Sequence, residues 1–498
     1  MSESNKILKN TSYLTGAFII QKLLAFVYFM ILARLIGVDN VGKYSFALSY
    51  TLIWAVFMDW GISTALVKEL SQKAISVKQY LRSLLIFKGI MSLSVFGILC
   101  LSVYFSDYDA SSKVLVYWAG MVMVVDSFAQ TFYAVLRSQQ LLKYEAIGLM
   151  INQFTIMTLG ILASVFFPGK LYLLLGAFLA GATVNNIVSL YGLRKNNLLQ
   201  MEKSEVKMWA LWKKVLLFAW PFALSTIFTR VYSYLDSVLL KNFLDDKAVA
   251  WYSVAYKIPF ALQFLPIAFA AAIFPAMSAL FGKDDEKLKS ILNYALFYLG
   301  MMALPMLVGI WVLAPDLIHT FYGAAYEPAI AILRILVLGL FFIFINFPLG
   351  TAISSIGLQK YNTLFIFITM IINVVVNMIL IPVSGPSGAA IAFLCSHGAL
   401  FLMSFLFLRK RLHFEWKTFV WRTIQLSIVS ILMGASVYWS KQFIPWFASV
   451  VVGAVVYAVL LMAWRIFTVQ DLKQLWNMFR KKDIQETQFE STYDDPIS

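Results

Sequence analysis

Residues 364–382 read LFIFITMIINVVVNMILIP, a run without a single charged side chain. A helix needs about 20 mostly apolar residues to cross a bilayer, and this run is of that length. A barrel strand would alternate apolar and polar residues over about ten positions, which this run does not do. Backbone polar groups must be satisfied inside the segment when lipid surrounds it, so the run predicts a transmembrane helix.

The same pattern recurs on both sides of it. Apolar stretches between charged breaks fall at 13–33, 44–66, 83–105, 114–136, 144–167, 171–193, 215–240, 248–279, 289–313, 328–355, 361–382, 386–408, 419–440 and 444–467. The stretch 248–279 holds Pro259, Pro266 and Pro275 and reads as one kinked crossing, because neighbouring helices can satisfy the freed backbone groups. The totals agree: 61% of the 498 residues are hydrophobic and 13% charged, with a mean hydropathy of +0.79. Soluble domains carry about 25% charged residues, so this chain could not cover a water-facing surface of its size. The expectation is an all-α integral membrane protein of about fourteen transmembrane helices, with no soluble domain of any size. After Lys6 and Lys9 the first apolar stretch is too long for a cleavable signal.

A net charge of +15 could suggest nucleic acid, but the basic residues sit in short loops between apolar runs. With the N-terminus inside, roughly 28 of the 40 Lys and Arg fall on the inner side and about 7 outside, which orients both termini to the cytoplasm. In 471–482 (DLKQLWNMFRKK), Leu472, Leu475, Trp476 and Phe479 recur at helical spacing and predict an interfacial helix; the acidic end after Asp483 reads as disordered. Cys100 and Cys395 lie far apart within apolar stretches, and His319, His397 and His413 lack ligand spacing, so neither a disulfide framework nor a metal site is expected.

Four short matches align the first six helices with the next six. Tyr44-Ser45-Phe46-Ala47 corresponds to Tyr252-Ser253-Val254-Ala255, and Leu141-Leu142-Lys143-Tyr144 to Leu358-Gln359-Lys360-Tyr361. Ala177-Phe178-Leu179 matches Ala392-Phe393-Leu394, and Leu193-Arg194-Lys195 matches Leu408-Arg409-Lys410. A repeat of six crossings begins from the same side as the first copy, so the copies are parallel, and such repeats face each other across a transport pathway. The chain divides into residues 1–205 (helices 1–6), 206–412 (helices 7–12), 413–470 (helices 13 and 14) and 471–498 (interfacial helix and tail).

The run Ala33-Arg34-Leu35-Ile36-Gly37, then Gly42-Lys43-Tyr44-Ser45-Phe46-Ala47, then Asp59-Trp60-Gly61, resembles the Wzx-type polysaccharide flippases of the MOP exporter superfamily. Tyr252-Ser253-Val254-Ala255-Tyr256-Lys257 and Phe274-Pro275-Ala276-Met277-Ser278 look like that family's eighth-helix signature. Departures are small: Val41 stands before Gly42 where Tyr is usual, and Trp60 replaces Phe. The resemblance implies a V-shaped pair of six-helix lobes around a central cavity. It also implies translocation of an undecaprenyl-pyrophosphate-linked oligosaccharide to the periplasmic leaflet of a bacterial inner membrane. The expected partners are that glycolipid, membrane lipids and other polysaccharide-assembly membrane proteins, with no nucleic acid. No cofactor is expected, and a coupling ion, proton or sodium, is left open.

A charged side chain at mid-membrane costs about 2.5–3.5 kcal/mol on insertion scales, so each one asks for an explanation. Lys22, Asp126 and Arg230 lie centrally; Asp236, Lys257 and Arg334 lie nearer the outer face, and Asp59 and Lys88 nearer the inner one. Lys22 and Arg230 are 208 residues apart, the same spacing as the Tyr-Ser match, so each repeat places a cation on its first helix. In the family's fold these helices line the cavity, and the two cations are expected to face each other there and bind pyrophosphate. Arg supplies a planar fork and Lys a mobile point charge. Alternatively each pairs within its own lobe, for example Lys22 with Asp126. Arg334 either widens the cationic path or pairs near the outer headgroups. Asp236 and Lys257 read as a structural ion pair, with Asp236 as a coupling-ion carboxylate the sharper alternative. Asp59 and Lys88 read as interfacial, and His397 as packed against its neighbours.

Two other functions compete. A multidrug (MATE-like) cation antiporter would want a carboxylate on the first helix, where residues 13–33 hold Lys22 and no acid. A membrane glycosyltransferase or polymerase would want an external loop carrying catalytic carboxylates; the outer loops are short, and Asp107 and Asp109 make the notable acidic pair on the early helices. The chain therefore reads as a transporter and not an enzyme.

Overall fold

The computed structural model describes residues 3–71, 77–199, 208–412 and 416–467, and the interfacial segment 471–482 with the tail lies outside the described residues. The described elements are α-helices and one short 3-10 turn at Ala324–Tyr326. The first repeat is α1 (Glu3–Ile36), α2 (Val38–Asp59), α3 (Ile62–Ser71), α4 (Val77–Tyr104), α5 (Ala110–Ser138), α6 (Leu142–Phe166) and α7 (Tyr172–Lys195). The second is α8 (Met208–Phe243), α9 (Asp246–Ala261), α10 (Phe264–Leu280), α11 (Asp285–Phe321), α12 (Ala329–Ser355), α13 (Gln359–Ser384) and α14 (Pro386–Leu412). Then come α15 (Trp416–Ser440) and α16 (Trp446–Ala463). Twelve stretches among the described residues are long and apolar enough to cross a membrane, with α9 and α10 together forming one of them. With α2–α3 and α8 the crossings come to fourteen, in a multi-pass integral membrane protein.

In each repeat the second crossing is broken. α2 ends where Trp60 and Gly61 both take positive φ (44° and 71°), and α3 restarts in a new direction. The kink expected in 248–279 is a complete break at Leu262–Gln263, between Pro259 and Pro266, where ring geometry removes helical hydrogen bonds. Short polar loops start the helices by capping them: Asp109, Asp245 and Asp284 each accept a backbone N–H three residues on, at 3.1, 2.8 and 3.0 Å.

The packing order is the same in both copies. In the first lobe α1 packs on α6, α6 on α7, and α7 on α5; in the second α8 packs on α13, α13 on α14, and α14 on α12. α15 packs on α11, outside the duplication, and α16 on α15. We call the side at which α1 ends the Arg34 side, and the opposite one the Lys88 side. Toward the Arg34 side α2 packs against both α8 and α9. Tyr44, Phe46, Tyr252 and Val254 are all buried there in one apolar core shared by the two lobes. Toward the Lys88 side the core divides in two. The first half of α8 stays with the first lobe, where Trp212 Nε1 donates to the Ser83 carbonyl at 3.1 Å. α8 thus begins on one lobe and ends inside the other.

Candidate substrate cavity

Lys22 on α1 reaches across the lobe interface, its Nζ lying 4.5 Å from the centroid of the Phe260 ring on α9. Lys257 on α9 reaches the other way, with its Nζ 4.9 Å from the Phe29 ring of α1. The two lysines line one cavity of about 120 Å³ together with Gln21, Phe26 and Phe260. A ring face attracts a cation by about 0.5–2 kcal/mol, which offsets part of the cost of holding each charge away from bulk water. It does not neutralise it. Arg230 on α8 is exposed, donates from Nη1 to the Tyr234 hydroxyl at 3.4 Å, and stands near enough for its charge to bear on Lys22. Among the described residues none of these three cations makes an ion pair. Three positive charges from three helices thus gather at one place, where an anion would be attracted.

The expected partners are rearranged. Lys22 meets Lys257 in the cavity, whereas Arg230 stands beside the pair. Asp126 is not the counter-ion of Lys22; the charges near it are those of Lys88 and Arg230. Asp236 and Lys257 do not pair either. Asp236 is 2% exposed and turns into the second lobe, where it accepts from the Tyr252 hydroxyl and from Asn377 Nδ2 at 2.7 Å. Asn377 is itself braced by Asn373 Oδ1 at 3.1 Å. Arg334 leaves the cavity as well: its guanidinium lies 4.8 Å from the Trp311 ring on α11. Depth along a helix was readable from sequence, but the facing direction was not, and that separates these residues.

Asp59 and Lys88, expected as separate interfacial charges, form a pair. Lys88 is completely buried and bonds Asp59 at 3.0 Å, while Ser63 donates to the same carboxylate oxygen at 2.6 Å. This pair ties α4 to the end of α2. His397 packs between Phe393 and Tyr232, with ring centroids 4.1 and 5.7 Å away.

At the Arg34 side the structure joins family-motif residues and Asp109 of the outer acidic pair to residues of the other lobe that carried no reading. Asp109 accepts from Lys43 of its own lobe at 3.2 Å and from Lys241 of the other at 3.1 Å; Lys241 also bonds Asp246 at 2.7 Å. Tyr108 donates to Asn242 Oδ1 at 2.7 Å across the same seam. Burial works to raise the Asp109 carboxyl, but hydrogen bonds from Ser112, Lys241 and Lys43 outweigh it and hold the group well below the usual carboxylate range. Nearby, Arg34 donates from Nε to the Phe321 carbonyl at 3.0 Å and from its guanidinium to Thr320, so a cation caps the C-terminus of α11 in the other lobe. The Tyr326 hydroxyl answers with a bond to the Ala33 carbonyl at 2.9 Å. Gly42 lets α2 come this close: a Cβ there would stand 1.8 Å from the Asp246 carbonyl oxygen. Together these contacts close the Arg34 side.

Comparison with known proteins agrees with the architecture. The polysaccharide biosynthesis protein family matches residues 7–281, more than half of the chain, and the MatE family matches residues 221–379. A putative O-antigen transporter of Shigella flexneri is 22% identical over 78% of this chain and 94% of its own length. A probable flippase, AglR, of Haloferax volcanii is 32% identical over 33% of this chain, a match that spans 35% of that protein. Among solved structures, lipid II flippase MurJ in an inward closed conformation superposes with a TM-score of 0.75 at 18% identity, covering 91% of this chain and 98% of that one. An inward-facing multidrug resistance MATE family transporter of the MOP superfamily gives 0.67 at 16% identity, over 79% and 94%.

Proposed function

The chain belongs to the polysaccharide biosynthesis protein family, and from that premise we propose that it is a flippase for a polyprenyl-pyrophosphate-linked oligosaccharide. The carrier we assign is undecaprenyl pyrophosphate, moved from the cytoplasmic to the periplasmic leaflet of the cytoplasmic membrane with both chain termini in the cytoplasm. The observation that carries this reading is the cation cluster. Lys22, Lys257 and Arg230 reach the lobe interface without a bonded carboxylate among the described residues, so a pyrophosphate would supply the missing charge. A cationic drug would meet like charge there, which counts against the antiporter reading.

The transport cycle is one of alternating access. The Arg34 side, closed by the Asp109–Lys241 and Arg34–α11 contacts, is the periplasmic side in this orientation. Substrate enters from the Lys88 side, where the basic loops lie, and pyrophosphate drawn between the lysines brings α1 and α9 together. The contacts at the Arg34 side then break and the lobes rock about the α2–α9 seam. Asp236, the buried carboxylate of the second lobe, is the residue we assign to ion coupling, with proton or sodium as the ion.

Reconstitution tests the reading. Purified protein in proteoliposomes should expose undecaprenyl-pyrophosphate-linked saccharide to an impermeant glycosidase or lectin, beyond the level in empty vesicles. Translocation no faster than in empty vesicles would refute it.

A further inference from the structure

A second cavity, of about 450 Å³, lies wholly within the second lobe. It begins at Thr229, one residue from Arg230, and runs between α12, α13 and α14 to Ser354 and Asn362 toward the Lys88 side. Its lining carries no carboxylate, ammonium or guanidinium; its polar groups are hydroxyls, carboxamides and one imidazole, set among aromatic rings that include Tyr232, Phe274 and Phe347. That division of labour matters. The anion site is cationic and small, and the neighbouring space is neutral, polar and larger.

Two of its polar groups are fixed by bonds to backbone carbonyls, and one of them leaves an acceptor open. The Asn346 amide donates from Nδ2 to the His397 carbonyl at 3.1 Å, which orients the side chain and leaves a buried Oδ1 with no hydrogen-bond partner in the protein. His397, 6% exposed, has its Nδ1 3.0 Å from the Phe393 carbonyl. A carbonyl only accepts, so Nδ1 carries the proton. An acceptor left open on a cavity wall is matched by a ligand that brings donors. Neutral hydroxyl groups and an N-acetyl N–H are such donors, and aromatic rings suit the apolar face of a pyranose. A phosphodiester brings no donor for that acceptor and meets no cation here.

We propose that this cavity binds the first one or two neutral sugar units of the substrate while the adjacent cations hold its pyrophosphate. The proposal rests on the flippase reading and deepens it: the site recognises the glycan, whereas the cations recognise the carrier. The volume is within the roughly 300–1,000 Å³ of small-molecule sites, enough for a short saccharide.

Binding to detergent-purified full-length protein separates the two. The probes are undecaprenyl pyrophosphate without sugar and a panel bearing one or two neutral hexose or N-acetylhexosamine units. At least one glycosylated member should bind about tenfold more tightly than the bare carrier, the equivalent of about 1.4 kcal/mol. Asn346→Leu and Thr351→Phe, which replace a polar lining residue and fill the cavity, should abolish that gain while binding the bare carrier as wild type does. Binding of the bare carrier also certifies that each variant is folded. Equal affinity for bare and glycosylated carriers throughout the panel overturns the sugar site but leaves the cation site standing. A gain that survives both substitutions overturns it too. Failure of the bare carrier itself to bind wild type counts against the flippase reading, and the sugar site falls with it.

Discussion

Lys22 and Lys257 cross the lobe interface in opposite directions, each laying its ammonium on an aromatic ring of the other's helix. The arrangement keeps two like charges on one cavity with aromatic faces as their only described neutralisation. That is an unfavourable way to build a resting interface and a favourable way to receive an anion.

Removing one of these charges should therefore cost function without costing stability. Lys257→Met is expected to slow glycolipid translocation by about ten- to a hundredfold, the range for losing a charge-assisted contact. Its thermal unfolding in detergent should occur at or above the wild-type temperature, because a desolvated charge has been removed. Parallel translocation and melting measurements check this. A variant that melts much earlier would show that the lysine is structural.

The contacts at the Arg34 side make a second expectation. Asp109→Asn and Lys241→Met should each raise the reactivity of a cysteine placed in the α2–α9 seam toward a water-soluble maleimide added from that side. The pH dependence has a definite sign. A carboxyl held below its ordinary value of about 3.9 keeps its stabilising charge at all pH above that value, and loses it only as pH falls toward the depressed one. Maleimide reactivity of the otherwise wild-type protein should thus be unchanged by the Asp109 interaction between about pH 5 and 8.

Gly42 offers a steric test. Gly42→Ala would place a methyl group 1.8 Å from the Asp246 carbonyl oxygen, so the lobes could not close in this form. The variant should insert and express, show high maleimide reactivity at the Arg34 side, and lose most translocation.

For Asp236, an isosteric and a disruptive change should diverge. Asp236→Asn retains the size of the group next to Tyr252 and Asn377, so the fold should persist while translocation loses its response to an imposed proton or sodium gradient. Asp236→Leu leaves the polar partners unmatched and should destabilise the second lobe by about 1–3 kcal/mol per orphaned group. Gradient-jump assays on proteoliposomes separate the two.

Much of this was legible in the sequence because a bilayer simplifies the reading. Run length and the absence of charge located α13 from residues 364–382 alone, and the Tyr44 and Tyr252 motifs located the repeat. The positions of intramembrane charge were equally plain. Their partners were not, since a one-residue rotation on a helix turns a side chain by about 100°. Asp236 and Lys257 share a depth but face a lobe interior and a lobe interface respectively, and Arg334 faces Trp311. The closure at the Arg34 side was hidden for another reason. Asp109, Lys241 and Arg34 come from separate loops and helix ends, and only tertiary packing brings them together.

The central claim is that three unpaired cations at the lobe interface bind the pyrophosphate of the carrier. The most direct test is translocation of undecaprenyl-pyrophosphate-linked saccharide by the triple variant Lys22→Gln, Arg230→Gln, Lys257→Gln in proteoliposomes, at matched protein content. Activity indistinguishable from empty vesicles, with the protein still monodisperse and helical, is the result predicted here. Translocation at the wild-type rate would contradict it.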